Sequence, residues 1–119
     1  KEAGDTPSLI LMATGSEVAV ALAAADELGP DVRVVSLPCW EAFEAQSAEY
    51  RESVLPSGVT RRAAIEAGST LGWEKYVGFA GFTHGIDRFG TSAPAGRIAT
   101  EWGFGGEAFA AKVRAHFEL

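Results

Sequence analysis

Short apolar runs alternate with amphipathic stretches along the whole chain. Residues 8–13 form an almost continuous apolar run, which is typical of a strand covered on both faces. Gly15 then turns the chain, and apolar residues recur at helical spacing over residues 17–28. Residues 32–37, closed by Pro38, predict a second strand. This alternation of strands and helices predicts an α/β domain.

The rest of the chain continues the alternation. The predicted elements that follow are a polar amphipathic helix over residues 41–55, a strand over 62–68 that runs into a glycine turn, one helical turn over 73–77, a strand over 82–87, and helices over 94–102 and 107–117. Pro94 suits the first position of its helix because its ring presets φ and its missing N–H would be unpaired there. In the last helix, Phe109, Val113 and Phe117 recur at i, i+4 and i+8, so they predict a stripe that faces the core.

Strands joined by helical crossovers favour a doubly wound, mostly parallel sheet with helices on both faces. In such sheets ligands bind beyond the carboxyl ends of the strands, where the winding reverses. The residues that follow the predicted strands therefore share one rim, made of residues 14–17, 38–40, 66–68 and 90–92. The candidate site residues on this rim, for a small ion or a regulatory ligand, are Ser16, Glu17, Glu66 and Ser92.

Each rim position also has a purely structural interpretation. Gly15 and Ser16 can offer N–H groups to an anion, but the turn lacks the glycine patterns of dinucleotide and P-loop sites. The Thr14-x-x-Glu17 spacing favours a capping box instead. We expect Glu66 to be half-buried beside Glu17. Two carboxylates there can hold a cation or move a proton, although a solvated or hydrogen-bonded structural pair is the favoured alternative.

The sequence assembles no complete catalytic constellation. His84 and His116 lie far apart without a cysteine or carboxylate at ligand spacing, so no metal site is predicted. Cys39 has no evident histidine partner, which argues against a catalytic thiolate. The G-x-S-x-G elbow of hydrolases is absent as well.

Length and composition narrow the class of protein. The 119 residues, of which 47% are hydrophobic, are enough for one domain with a single core. A net charge of −6 argues against a nucleic-acid partner, and no apolar run is long enough to predict a membrane span. A single cysteine fits a reducing cytoplasm. Because the chain starts at Lys1 without an initiator methionine, we expect it to be a piece of a longer protein.

Aromatic residues are concentrated in predicted turns and helix ends, where the domain's own core gives little cover. Those positions are Trp40, Trp73, Tyr76, Phe79, Phe82 and Trp102. They predict either contact with another domain or subunit, or a local satellite cluster, and the sequence favours neither.

Six motifs occur in the order in which they occur in one enzyme family. They are LILMATGSEV at 9–18, VRVVSLP at 32–38, YRESVLP at 50–56, AIEAG at 64–68, WEKYVG at 73–78 and DRFGTSAP at 87–94. Over residues 8–119 the chain thereby resembles the C-terminal domain of transketolases, and the segment at 50–56 is the most specific part of the resemblance.

The resemblance implies a parent enzyme that is cytoplasmic, homodimeric and part of the pentose phosphate pathway. Transketolases are transferases that move a two-carbon ketol unit between sugar phosphates with thiamine diphosphate and a divalent metal such as magnesium. In that family the cofactor lies between the other two domains. The resemblance therefore assigns no catalytic, cofactor-binding or metal-binding residue to this chain.

What the resemblance implies for residues 1–119 is a single C-terminal domain, inactive alone, which packs against the other domains of its chain and stabilises a dimer with a second subunit. Two alternatives stay open. One is the equivalent domain of another thiamine-diphosphate enzyme, such as a 2-oxoacid dehydrogenase β subunit or deoxyxylulose-phosphate synthase. The other is a regulatory module that binds an anion or a nucleotide at the rim.

Overall fold

The chain forms a parallel sheet between two layers of helices. The computed structural model describes residues 7–66, 72–85 and 105–119. Its elements in chain order are β1 (Leu9–Ala13), α1 (Glu17–Leu28), β2 (Val32–Ser36), α2 (Trp40–Glu44), α3 (Ala48–Val54), β3 (Arg62–Glu66), α4 (Glu74–Val77), β4 (Phe82–Gly85) and α5 (Gly106–Phe117). The predicted helix over 94–102 lies outside the described residues.

The sheet has four strands in the order β2-β1-β3-β4, and every neighbouring pair is parallel. Leu11 of β1 lies opposite Val34 of β2 on one side and Ala63 of β3 on the other. The chain runs from β1 to its neighbour β2 and then returns across β1 to reach β3. The direction of winding therefore reverses between β1 and β3, and the predicted doubly wound parallel sheet is confirmed.

The central strand β1 is buried along its whole length. Leu9, Leu11 and Ala13 pack into the layer formed with α1 and α5. Ile10 and Met12 belong to the opposite layer, together with residues of α4 and of the α3–β3 connection. Because successive side chains point to opposite faces, a strand covered on both faces needs an unbroken apolar run, which is what residues 9–13 provide.

On the first face, α1 and α5 pack closely through small residues. A Cβ at Gly106 would lie 2.6 Å from the Cβ of Ala23, so glycine lets α5 begin directly against α1. The predicted stripe on α5 is confirmed, since Phe109 and Val113 are fully buried and Phe117 is partly buried.

On the second face, four aromatic rings form a cluster, made of Trp40, Phe43, Trp73 and Tyr76. The Trp40 and Trp73 rings meet edge to face with centroids 5.0 Å apart, and the Trp40 and Tyr76 centroids are 5.4 Å apart. Gly72, at φ +93°, is pressed against this cluster, because a Cβ there would lie 2.6 Å from the Trp40 ring. The local-cluster interpretation therefore holds for Trp40, Trp73 and Tyr76.

Three aromatic residues that the sequence singled out lie outside this cluster or outside the described residues. Phe82 packs against Phe109 and Phe117, with ring centroids 6.5 Å and 6.1 Å apart. Phe79, in the turn after α4, is fully exposed. Trp102 lies outside the described residues.

The single helix predicted over residues 41–55 is wrong, because the chain forms two helices there. The α2 helix ends at Glu44, and α3 begins at Ala48 after a break. Ser47 has an extended backbone, and its hydroxyl accepts the N–H of Tyr50 at 3.1 Å. A serine side chain that satisfies a free N–H of the first turn starts a new helix.

Arg62, at the start of β3, joins three segments of the second layer. Its guanidinium donates to the carbonyls of Val59 at 2.9 Å, Tyr76 at 2.9 Å, Leu55 at 3.1 Å and Pro56 at 2.7 Å. Burial lowers the pKa of Arg62 from its usual value. This one side chain therefore ties together carbonyls at the end of α3, in the loop to β3 and in α4.

A charged network closes the outer side of the aromatic cluster. The Tyr76 hydroxyl donates to Glu44 Oε1 at 3.0 Å, and Lys75 Nζ lies 3.2 Å from the same oxygen. Arg51 Nη1 lies 3.6 Å from Glu44 Oε2. Burial, with the hydrogen bond to Glu44, raises the pKa of Tyr76 to about 12. The hydrogen bond from Tyr76, followed by that from Lys75, lowers the pKa of Glu44.

Replacing Arg62 by lysine should destabilise the fold by about 2 kcal/mol, because one ammonium cannot reach carbonyls that a planar guanidinium spans. Urea unfolding at neutral pH measures the change, and Arg61→Lys is the matched control because Arg61 is the exposed neighbour. An equal effect of both substitutions would show that the four carbonyl contacts contribute little.

Stability should fall between about pH 10 and about pH 12 through Tyr76. A hydroxyl whose pKa is raised in the folded state stabilises the fold fully below its ordinary pKa, about 10, and loses that contribution as the pH rises through the raised value. Tyr76→Phe should therefore remove part of the alkaline loss of stability, measured as the urea midpoint against pH. Tyr50→Phe, at a side chain that is 50% exposed, should leave the profile unchanged. If the two variants have the same profile, Tyr76 does not titrate abnormally.

Candidate functional site

An open cleft lies at the carboxyl ends of the strands, where the winding of the sheet reverses. Its volume is about 480 Å³. The residues that line it are Thr14, Leu37, Pro38, Cys39, Trp40, Glu41, Glu66 and Trp73. We call it the switch-point cleft. Five of its residues lie within the predicted rim, so the rim contains a concavity at these strand ends.

A hydrogen bond across two strands supports the base of the switch-point cleft. Ala13 and Ile65 are opposite each other at the ends of β1 and β3. Thr14 and Glu66 follow them, and Thr14 Oγ1 donates to Glu66 Oε2 at 3.2 Å. The parallel pairing of β1 with β3 thus places a hydroxyl beside a carboxylate that is 52 residues away in sequence.

The predicted capping box at Thr14-x-x-Glu17 is wrong. The Thr14 hydroxyl donates to Glu66, and the N-cap of α1 is Ser16, whose side chain makes no capping hydrogen bond. The Ser16 hydroxyl donates instead to Glu17 Oε1 at 3.1 Å. The Thr14 hydroxyl therefore bonds to the end of the neighbouring strand β3 and does not cap α1.

Glu66 is half-buried, and its surroundings disfavour the charged form of its carboxyl group. Burial raises its pKa, and the negative charge of Glu17 raises it further, while the hydrogen bond from Thr14 acts in the opposite direction. Glu17 thus influences Glu66 without lining the switch-point cleft. Carboxylates of this kind take up a proton or a cation more readily than isolated surface carboxylates.

The four candidate site residues do not converge on one point. Glu66 lines the switch-point cleft, Glu17 affects its pKa, and Ser16 is exposed and bonded to Glu17. Ser92 lies outside the described residues.

The lining of the switch-point cleft includes two aromatic residues, Trp40 and Trp73. Trp40 is partly buried and Trp73 is 1% exposed. Trp40 falls on the predicted rim, but Trp73 does not, because it reaches the cleft from the start of α4 rather than from a strand end. Only the dense placement of aromatics in turns signalled it. Cys39, beside Trp40, is an exposed free thiol.

The charges lining the switch-point cleft are of one sign. Its described lining contains the carboxylates of Glu41 and Glu66 and no lysine, arginine or histidine. The chemistry of the cleft is therefore that of hydrogen-bond acceptors beside aromatic rings.

Nowhere in residues 7–66, 72–85 and 105–119 do three histidine, cysteine or acidic side chains gather as a metal site would require. Within the same ranges, no helix is long and apolar enough to cross a membrane.

Known proteins similar to this chain belong to one family. Residues 1–105 match the family described as "Transketolase-like TK C-terminal domain". The chain is 57% identical over 114 residues to the chloroplastic transketolase of Zea mays, covering 93% of the chain and 17% of that protein. It is 55% identical over 103 residues to the transketolase of Staphylococcus aureus (strain MW2), covering 84% of the chain and 16% of that protein.

Solved structures agree with the sequence matches. The Leishmania mexicana transketolase superposes with a TM-score of 0.84 at 40% identity, covering 96% of this chain and 17% of that one. A Pichia stipitis transketolase in complex with sedoheptulose 7-phosphate superposes with a TM-score of 0.83 at 38% identity, covering 94% and 16%. The chain thus spans about one-sixth of the length of these relatives. It belongs to the transketolase family, where it corresponds to the C-terminal domain.

Proposed function

We propose that this chain works as the C-terminal domain of a complete transketolase, a transferase that moves a two-carbon ketol unit between sugar phosphates in the pentose phosphate pathway. The observation that carries the proposal is the 57% identity to the maize enzyme over 93% of this chain. The Pichia stipitis relative that holds sedoheptulose 7-phosphate supports a sugar phosphate as the substrate class. The matched relatives are transketolases, which disfavours a 2-oxoacid dehydrogenase or deoxyxylulose-phosphate synthase as the parent.

The cofactor of the parent enzyme would be thiamine diphosphate with a divalent metal such as magnesium, and it would be held outside this domain. The switch-point cleft fits that cofactor poorly, because its described lining places Glu41 and Glu66 where a diphosphate would need cations. The described part of the chain also holds no cluster of three histidine, cysteine or acidic side chains that could bind the metal. We assign no catalytic residue and no cofactor-binding residue to residues 1–119, which we take to be one domain.

The role that remains for the domain is packing and dimer stabilisation within the whole enzyme. Its partners would be the other domains of its own chain and a second subunit. Phe79, fully exposed in the turn after α4, is the position that we assign to a contact with such a partner, because aromatic side chains are enriched in interfaces. A cytoplasmic location is compatible with Cys39, the one cysteine of the sequence, being a free and exposed thiol.

A domain exchange tests the proposed function. We expect a maize transketolase whose C-terminal domain is replaced by this chain to remain an active dimer, because the two domains share sequence and fold. The measurement is the transfer of a ketol unit from sedoheptulose 7-phosphate to an aldose phosphate. The maize enzyme truncated before this domain is the control and should lose dimer or activity. A chimera that folds as a dimer but has no activity would contradict the proposal.

The isolated chain should form a dimer that depends on concentration, since part of the subunit interface would lie on this domain. Light scattering over a range of concentrations measures its mass. Phe79→Ser should weaken the dimer, whereas Leu22→Ser, at a position on α1 that is 39% exposed, should not. A strict monomer at every concentration would place the subunit interface outside this domain.

A further inference from the structure

The switch-point cleft has the position and size of a ligand site. It opens beyond the carboxyl ends of β1 and β3, where the chain connections diverge to opposite faces of the sheet. That is the place where parallel sheets of this winding leave a crevice for ligands. Its volume of about 480 Å³ is in the range of small-molecule sites.

Glu66 supplies a fixed acceptor in this cleft. One of its carboxylate oxygens accepts the Thr14 hydroxyl, which leaves the other oxygen and further lone pairs available. Its position at the last residue of β3 holds it on a rigid element. Glu41 adds a second carboxylate to the lining.

The contrast with Glu44 shows what Glu66 lacks. Glu44 is paired with Lys75 at 3.2 Å and with Arg51 at 3.6 Å, and its pKa is lowered. Glu66 has no cationic partner among the described residues, and the negative charge of Glu17 raises its pKa. Among the described residues, Glu44 is therefore neutralised by two cations, whereas Glu66 is hydrogen-bonded only to a neutral hydroxyl.

Trp40, which also lines the cleft, supplies a surface suited to a cation. An indole is the aromatic ring that attracts organic cations most strongly. The edge-to-face contact with Trp73 and the close approach of Gly72 hold the Trp40 ring in place. Because Trp40 is only partly buried, its ring remains accessible from the cleft that it lines.

We propose that the switch-point cleft binds a small organic cation, an alkylammonium or guanidinium group, between the Glu66 carboxylate and the Trp40 indole. A phosphate or carboxylate ligand is disfavoured because Glu41 and Glu66 would repel it. The proposed site takes no part in the chemistry of the parent enzyme, so the proposal can be tested independently of the proposed function.

The test uses the 119-residue chain labelled with ¹⁵N. The indole N–H resonance of Trp40, assigned with Trp40→Phe, is followed by NMR during titration with 1,4-diaminobutane at constant ionic strength. The neutral isostere 1,4-butanediol is titrated in parallel. We expect a saturable shift with the diamine and none with the diol. No saturable shift, or the same shift with both compounds, would overturn the proposal.

Variants separate a built site from general attraction to an acidic protein. Glu66→Gln keeps an acceptor for Thr14 but removes the charge, and it should weaken diamine binding about fivefold. Trp40→Leu, followed through the indole resonance of Trp73, should weaken it about threefold. Glu27→Gln removes the same charge from an exposed position on α1 and should leave the affinity unchanged. Equal losses in Glu66→Gln and Glu27→Gln would mean non-specific attraction and would contradict the proposed site.

Discussion

The burial of β1 on both faces is the constraint on which the rest of the structure depends. A strand with no exposed residue needs a neighbour on each side and a helical layer above and below. The chain meets this need by winding first to β2 through α1 and then back across β1 to β3. Small residues let the two helices of the first layer pack side by side over the strand, since only a glycine at position 106 fits against Ala23 of α1.

The same winding creates the switch-point cleft. The helices α1 and α4, which follow β1 and β3, pack on opposite faces of the sheet, and Thr14 and Glu66 meet at the ends of these two strands. The residues around them differ from those in the rest of the second layer, where Arg62 and Glu44 are paired with carbonyls and with charged side chains. The Arg62 and Glu44 side chains are thus satisfied within the fold, while the Glu66 carboxylate lines an open cleft.

Family membership and local geometry give a consistent account of the domain. The chain spans about one-sixth of the length of its transketolase relatives. Its described residues hold a packed sheet, a paired charge network and an acidic cleft with aromatic residues in its lining. Phe79, in the turn after α4, is a single large apolar side chain that is fully exposed.

The sequence by itself determined the kinds of element, the covered central strand, the stripe of Phe109 and Val113, and the rim, because hydrophobic periodicity and strand ends are local properties. It also placed Glu66 and Trp40 on that rim. Only the tertiary structure decided the partner of Thr14, because Glu66 comes within reach of its hydroxyl only when β1 and β3 pair. The break at Ser47 is local, because its hydroxyl accepts the N–H of Tyr50 three residues on, but the apolar spacing over residues 41–55 did not reveal it. Only the tertiary structure decided that Trp73 joins the cleft, since its place there depends on how α4 packs against segments that are distant in sequence.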